Sequence, residues 1–218
     1  MNVTLIDSPV ANVANIARGL REVGAELSVT RDAAAIADAR KIVLPGVGSF
    51  ATAMRWLIDM GIDVALRHAV QSGAALLGVC VGHQLLFELS HEMGVTRGLG
   101  LIDGDVRKFD GPLPVPQIGW NRVTYSSGGQ ARSPVRTDAT GEGASPPLDL
   151  FEGIADGTSF YFVNSYAASN STSEIARADY GGAFTAAVQR ERIVGVQFHP
   201  EKSSTAGLRV LRNFVAWK

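Results

Sequence analysis

Residues 74–79 (Ala-Ala-Leu-Leu-Gly-Val) form an unbroken apolar run between Gly73 and a glycine-flanked cysteine. Such a run predicts a buried strand, and it constrains the fold through what surrounds it. Short apolar stretches at 3–7, 26–30 and 41–44 alternate with segments of helical period at 12–24, 32–38, 50–60 and 62–71. In the first helix Ile16, Leu20 and Val23 share a face and Gly24 is the expected stop. Strands alternating with helices imply βαβ units and a largely parallel sheet covered on both faces.

The second half reads differently. Segments 101–109, 117–125, 158–166, 174–180, 185–190 and 193–198 are strand-like and separated by turn residues. A last helix is expected over 203–217, capped by Ser203 or Ser204. A further helix is expected over 82–90, with Leu85, Leu86 and Leu89 on its apolar side. Antiparallel strands added to a parallel sheet make a single mixed α/β domain over 1–218 the expected organisation. Residues 126–149, rich in Ser, Gly and Pro and lacking aromatic residues, bury too little apolar area to offset their ordering entropy. They are expected to form a mobile surface insertion.

Composition narrows the function classes. Charged residues are 19% of the chain, with 20 basic against 21 acidic side chains. This gives no field that recruits nucleic acid or an anionic membrane. Four histidines and one cysteine show no metal-ligand spacing, so no metal site and no cofactor are expected. The first strand lacks a signal-peptide pattern, and no apolar run approaches the roughly 18 residues of a membrane span. A cytoplasmic location is expected.

Three clusters carry chemistry. Gly78-Val79-Cys80-Val81-Gly82-His83-Gln84 lies where the buried strand meets the next helix, the setting of a nucleophile elbow. There a strained turn pushes one side chain outward, and a Cβ at Gly78 or Gly82 would obstruct it. A thiol at a helix N-terminus is favoured as the reactive thiolate. Phe198-His199-Pro200-Glu201 places an imidazole at another strand end, with a carboxylate two residues on that can fix its tautomer. Leu44-Pro45-Gly46-Val47-Gly48-Ser49 is a glycine-rich loop between strand and helix that can offer a backbone N–H to an oxyanion. The same loop fits a loose dinucleotide-binding pattern, but it follows the third strand rather than the first and lacks an acid at the end of the next strand. His68 and His91 read as ordinary surface residues.

Taken together, these motifs resemble the class I glutamine amidotransferases, whose marks are the Gly-x-Cys-x-Gly-x-Gln elbow, the oxyanion glycines and a late His-Pro-Glu. The resemblance covers nearly the whole chain. It is nearest to the branch that serves imidazole glycerol phosphate synthesis, on Pro45–Phe50, Gly100–Val106, Ile118-Gly119-Trp120-Asn121, Phe160–Tyr166 and His199–Ser203. It implies a three-layer domain, a thioester on Cys80, His199 as proton donor to departing ammonia and Glu201 as its orienting carboxylate. By position it further implies oxyanion amides at Val47 and Val81, and glutamine held by Gly48, Gln84, Glu92 and Tyr161. Asn12, Trp120, Asn164 and Lys202 would face the partner, a TIM-barrel cyclase subunit bound as a heterodimer. Two departures stand out. Asp7-Ser8-Pro9-Val10-Ala11-Asn12 replaces the usual Asp-Tyr-Gly-x-Gly-Asn, and Phe162-Val163-Asn164 replaces the commoner Phe-Val-His. His83 also occurs in the glutaminase subunits of anthranilate and aminodeoxychorismate synthases, which form the alternative among enzymes. An interaction subunit without catalysis is the alternative outside them.

Overall fold

The strand β1 (Asn2–Ile6) runs between two parallel neighbours, β2 (Glu26–Thr30) and β3 (Lys41–Gly46). The computed structural model describes residues 1–9, 11–126 and 149–218. The expected insertion at 126–149 falls almost wholly outside the described residues. Helix α1 (Val13–Glu22) begins at Asn12, whose side chain accepts from Asn15 N–H, and α2 (Ala33–Ala37) begins at Asp32, which accepts from Ala34 N–H. Helices α3 (Phe50–Asp59) and α4 (Ile62–Gln71) lead to β4 (Ala75–Cys80), which pairs parallel with β3. The chain steps from β1 outward to β2, then back across to β3 and β4. Right-handed crossovers in opposite directions put α1 on one face of the sheet and α2, α3 and α4 on the other.

After β4 a single helical turn, α5 (Val81–Gln84), is followed by short strands β5 (Leu89–Ser90), β6 (Thr96–Arg97) and β7 (Asp105–Lys108). The helix expected over 82–90 is therefore not formed. Its carbonyls are captured by tertiary contacts: Leu85, Leu86, Phe87 and Glu88 accept from backbone N–H groups of residues 98–102. The expected strand over 101–109 shortens to β7, because Leu101 and Ile102 turn inward to make those bonds.

The remaining strands are β8 (Gln117–Arg122), β9 (Thr124–Tyr125), β10 (Ser159–Asn164), β11 (Tyr166–Ser169), β12 (Glu174–Asp179), β13 (Ala183–Arg190) and β14 (Ile193–Val196). The main sheet runs β2-β1-β3-β4-β14-β13-β11-β7-β5-β6, with β12 on β13 and β9 on β12. It is parallel from β2 through β14 and antiparallel across β13, β11 and β7. Two of the expected long strands are divided. Residues 117–125 split into β8 and β9, and 158–166 ends at Asn164 before β11 starts. The reason is that β8 and β10 leave the main sheet and pair with each other, Tyr161 opposite Trp120.

A three-residue 3-10 turn (Pro200–Lys202) precedes α6 (Ser204–Ala216). Ser203 stands before α6, but its hydroxyl donates to the His199 carbonyl at 2.6 Å and accepts from Tyr161 N–H at 2.9 Å, so its side chain does not cap the helix. The core fills both faces of the parallel strands, with Leu76, Leu77, Val194 and Val196 fully or almost fully buried. No helix of the described residues is long and apolar enough to cross a membrane.

Candidate active site

Register alone assembles the centre. In the β3–β4 pair Gly46 stands opposite Cys80. In the β4–β14 pair Val196 stands opposite Val79. Because all three strands are parallel, the glycine loop, the cysteine and the residues beyond Val196 leave the sheet at the same end, where open α/β sheets place their ligands.

Cys80 has φ 55° and ψ −113°, a strained conformation for a residue with a Cβ. The neighbours explain how it is held. A Cβ on Gly78 would come within 2.6 Å of the Gly82 carbonyl oxygen, and one on Gly82 would run into the carbonyl of Leu44. The expected elbow is present, with both glycines required for close backbone contact. One expectation is corrected. The helix after Cys80 is one turn long, so the sulfur has local amides nearby rather than the macrodipole of a long helix.

His199 and Glu201 complete a chain of contacts. His199 Nδ1 lies 2.9 Å from Glu201 Oε1, with both side chains almost wholly shielded from solvent. Cys80 shares the cavity wall with this ring and acts on its protonation. Burial by itself lowers the His199 pKa, but the hydrogen bonds and charges of Cys80 and Glu201 outweigh it and raise the value to about 10. The backbone of His199 is pinned as well: its N–H donates to the Tyr161 carbonyl at 2.9 Å, and its carbonyl accepts from Ser203.

Cys80 and His199 line a cavity of about 280 Å³ together with Val47, Gly48, Val81, Gln84, Glu92, Pro116, Val163, Asn164, Ser165, Tyr166 and Lys202. Ligand pockets run from roughly 300 Å³ upward, so this one suits a ligand the size of an amino acid. Glu92 accepts from Phe50 N–H at 2.6 Å, and Ser49 caps the same helix. A carboxylate is thus fixed at the mouth of the glycine loop. Among the described residues no cluster of His, Cys, Asp and Glu could hold a metal ion.

The structure separates some residues that the sequence grouped. Tyr161 does not line the cavity. Its ring lies edge-on to Trp120 at 6.1 Å, with the Lys202 ammonium 5.7 Å from its centre. Asn164, expected to face outward, is buried on the cavity wall, and its amide donates to the Tyr166 carbonyl at 3.0 Å. Trp120 and Ile118 are well exposed on β8, and Asn12 is exposed at the start of α1. His91 is not a free surface residue: Asp105 accepts from it at 2.9 Å. Sequence reasoning passed over Ser165, Tyr166, Ser203 and Gln197. Only Gln197 carried a signal, as a polar residue inside an apolar strand end, where a buried amide requires partners.

A family model described as glutamine amidotransferase class-I matches residues 4–217. A protein of Herpetosiphon aurantiacus named imidazole glycerol phosphate synthase subunit HisH is 42% identical, the match covering 98% of this chain and 93% of that protein. Its namesake in Caulobacter vibrioides is 41% identical over 99% and 98%. Among solved structures, one titled as a glutamine amidotransferase superposes with a TM-score of 0.71 at 18% identity, covering 98% of this chain and 96% of that chain. A PurLQS structure from Thermotoga maritima gives 0.68 at 18%, covering 98% and 97%. At that identity the two structures speak to the fold alone.

Proposed function

Since the chain belongs to the class I glutamine amidotransferases, we propose that Cys80, His199 and Glu201 hydrolyse the side-chain amide of glutamine to glutamate and ammonia. The observation that carries this is the strained Cys80 and, on the same wall of an amino-acid-sized cavity, an imidazole whose Nδ1 is held by a buried carboxylate. The Cys80 sulfur attacks the amide carbon. The N–H groups of Val47 and Val81, residues of the same cavity wall, receive the oxyanion. His199, protonated through neutral pH, gives its proton to the departing ammonia, and Glu201 holds the ring for the transfer. Water then attacks the thioester, returns a proton to the site and releases glutamate.

Glu92 supplies a fixed negative charge for the α-ammonium group of glutamine, and Gly48 and Gln84 flank the same space. Ser165 and Tyr166 stand on the wall where Tyr161 had been expected to hold the substrate. We read residues 1–218 as one catalytic domain, a reading supported by the family match over nearly all of it.

The relatives named as subunits of imidazole glycerol phosphate synthase support placing the ammonia in histidine biosynthesis, in the cytoplasm. There a cyclase subunit would use it to form imidazole glycerol phosphate and aminoimidazole carboxamide ribotide. The exposed Trp120 and Ile118, beside Lys202 and Tyr161, supply an apolar face for that subunit.

The deciding experiment measures glutamate release by the purified chain, alone and with a cyclase subunit and its nucleotide ligand. Turnover that rises strongly with the cyclase and vanishes in Cys80→Ala is the expected result. Turnover retained in Cys80→Ala overturns the chemistry. Turnover indifferent to the cyclase overturns the partner and returns the chorismate-pathway alternative.

A further inference from the structure

Gln197 has no exposed surface and no part in the steps above. It lies one residue beyond Val196, which pairs with Val79, so the register brings it level with Cys80. Both ends of its carboxamide are engaged. Gln84 Nε2 is 2.9 Å from its Oε1, and its own Nε2 is 3.9 Å from Cys80 Sγ.

Chemistry fixes which end faces the sulfur. The terminal Gln84 atom that meets Gln197 also lies 2.9 Å from the main-chain oxygen of Tyr166. A carbonyl oxygen only accepts, so that Gln84 atom is the NH2 group. An NH2 group only donates, so the Gln197 atom facing it is the carbonyl oxygen. The NH2 group of Gln197 is left pointing at Cys80. Through two carboxamides, the Tyr166 carbonyl decides that a donor meets the nucleophile.

That donor has an opponent. The Val163 carbonyl oxygen lies 3.8 Å from the same sulfur. It accepts from a neutral thiol and repels a thiolate, whereas an N–H donor stabilises the anion. We propose that Gln197 is a further residue of the reaction centre, its amide N–H aimed by Gln84 and Tyr166 to hold the Cys80 sulfur as thiolate against the Val163 carbonyl. This deepens the glutaminase reading and rests on it for turnover, but the contact itself can be tested without glutamine.

Cys80 is the only cysteine in the chain, so alkylation by iodoacetamide reads this sulfur alone. The native protein is compared with Gln197→Met, Gln197→Glu and Gln84→Glu, each checked for folding by circular dichroism. At pH 7 both Gln197 variants are expected to label roughly tenfold more slowly, the scale of one hydrogen bond to a charged group. The deficit closes in alkali, once pH alone ionises the sulfur. Gln84→Glu slows labelling further, because its carboxylate draws the Gln197 NH2 group away from the sulfur and adds a like charge nearby. For Gln197→Met, which adds no charge beside the sulfur, a purely structural role for Gln197 predicts none of that pH dependence.

Native-rate labelling at pH 7 in a folded Gln197 variant overturns the proposal, and so does a deficit that stays constant across pH. If Gln197→Met does not fold, Gln197→Leu, which likewise adds no charge, decides in the same way. Slowed labelling alongside a native protein that releases no glutamate overturns the glutaminase reading and leaves the sulfur contact standing. Native-rate labelling alongside active glutaminase does the reverse.

Discussion

His199 is buried, yet it is the more basic for its surroundings. Its pKa rises to about 10 because hydrogen bonding and charge from Cys80 and Glu201 outweigh burial. A raised folded value contributes stability that is fully present below the ordinary histidine pKa of 6.5 and is lost as pH rises through about 10. In the proposed reaction the same protonated ring is the acid that ammonia needs as a leaving group. Glu201→Gln removes the charge behind Nδ1, and is expected to reduce kcat for glutamate release roughly 100-fold and to move the alkaline fall in rate to lower pH. A pH–rate profile of native and variant enzyme checks both, and an unmoved alkaline limb would remove Glu201 from the mechanism. The proposed roles of Cys80, His199 and Glu201 were legible as separate motifs, because each needs a particular residue type at a strand end. For Gln197 only burial was legible, since a glutamine in an apolar run must find partners but which ones depends on what stands abreast of it.

Between elements, α5 and β14 meet through an unusual pair. His83 is wholly buried against Phe87, neither ring nitrogen has a hydrogen-bond partner among the described residues, and a Cβ on Gly195 would collide with its Nδ1. Burial lowers its pKa to about 3. The unfolded chain takes up this proton near pH 6.5 and the folded one does not, so stability falls as pH drops from about 6.5 toward 3. At pH 5 the loss is about 2 kcal/mol, from 1.36 kcal/mol per pH unit. His83→Leu is expected to flatten that acid slope, read from urea denaturation at pH 5 and 7.5. An unchanged slope would place the acid sensitivity elsewhere. The same scale shows where periodicity misled. Leu85, Leu86 and Leu89 have the spacing of a helix face, but the loop at 98–102 takes the carbonyls a helix would use, and sequence distance hides that competition.

At the scale of the molecule, β8 and β10 leave the main sheet and build a small antiparallel pair beside the cavity. One side of the pair carries Phe160 and Phe162 into the core, and Trp120 and Ile118 stay exposed. Buried aromatic anchors dominate protein interfaces, so Trp120→Ala is expected to weaken binding to a cyclase subunit by about 2 kcal/mol or more, roughly 30-fold in Kd. Isothermal titration calorimetry tests this, and an unchanged Kd would move the partner to another face. The parallel βαβ half, the elbow with its two glycines and the three side chains proposed to react can be read from local sequence alone. These depend on local periodicity, on backbone clearance and on residue chemistry. The split of the later strands, the single turn after Cys80, and the alignment of Gly46, Cys80 and Gln197 arise from long-range packing. Those depend on strand register and on competition for backbone hydrogen bonds between segments far apart in the chain, which no local pattern encodes.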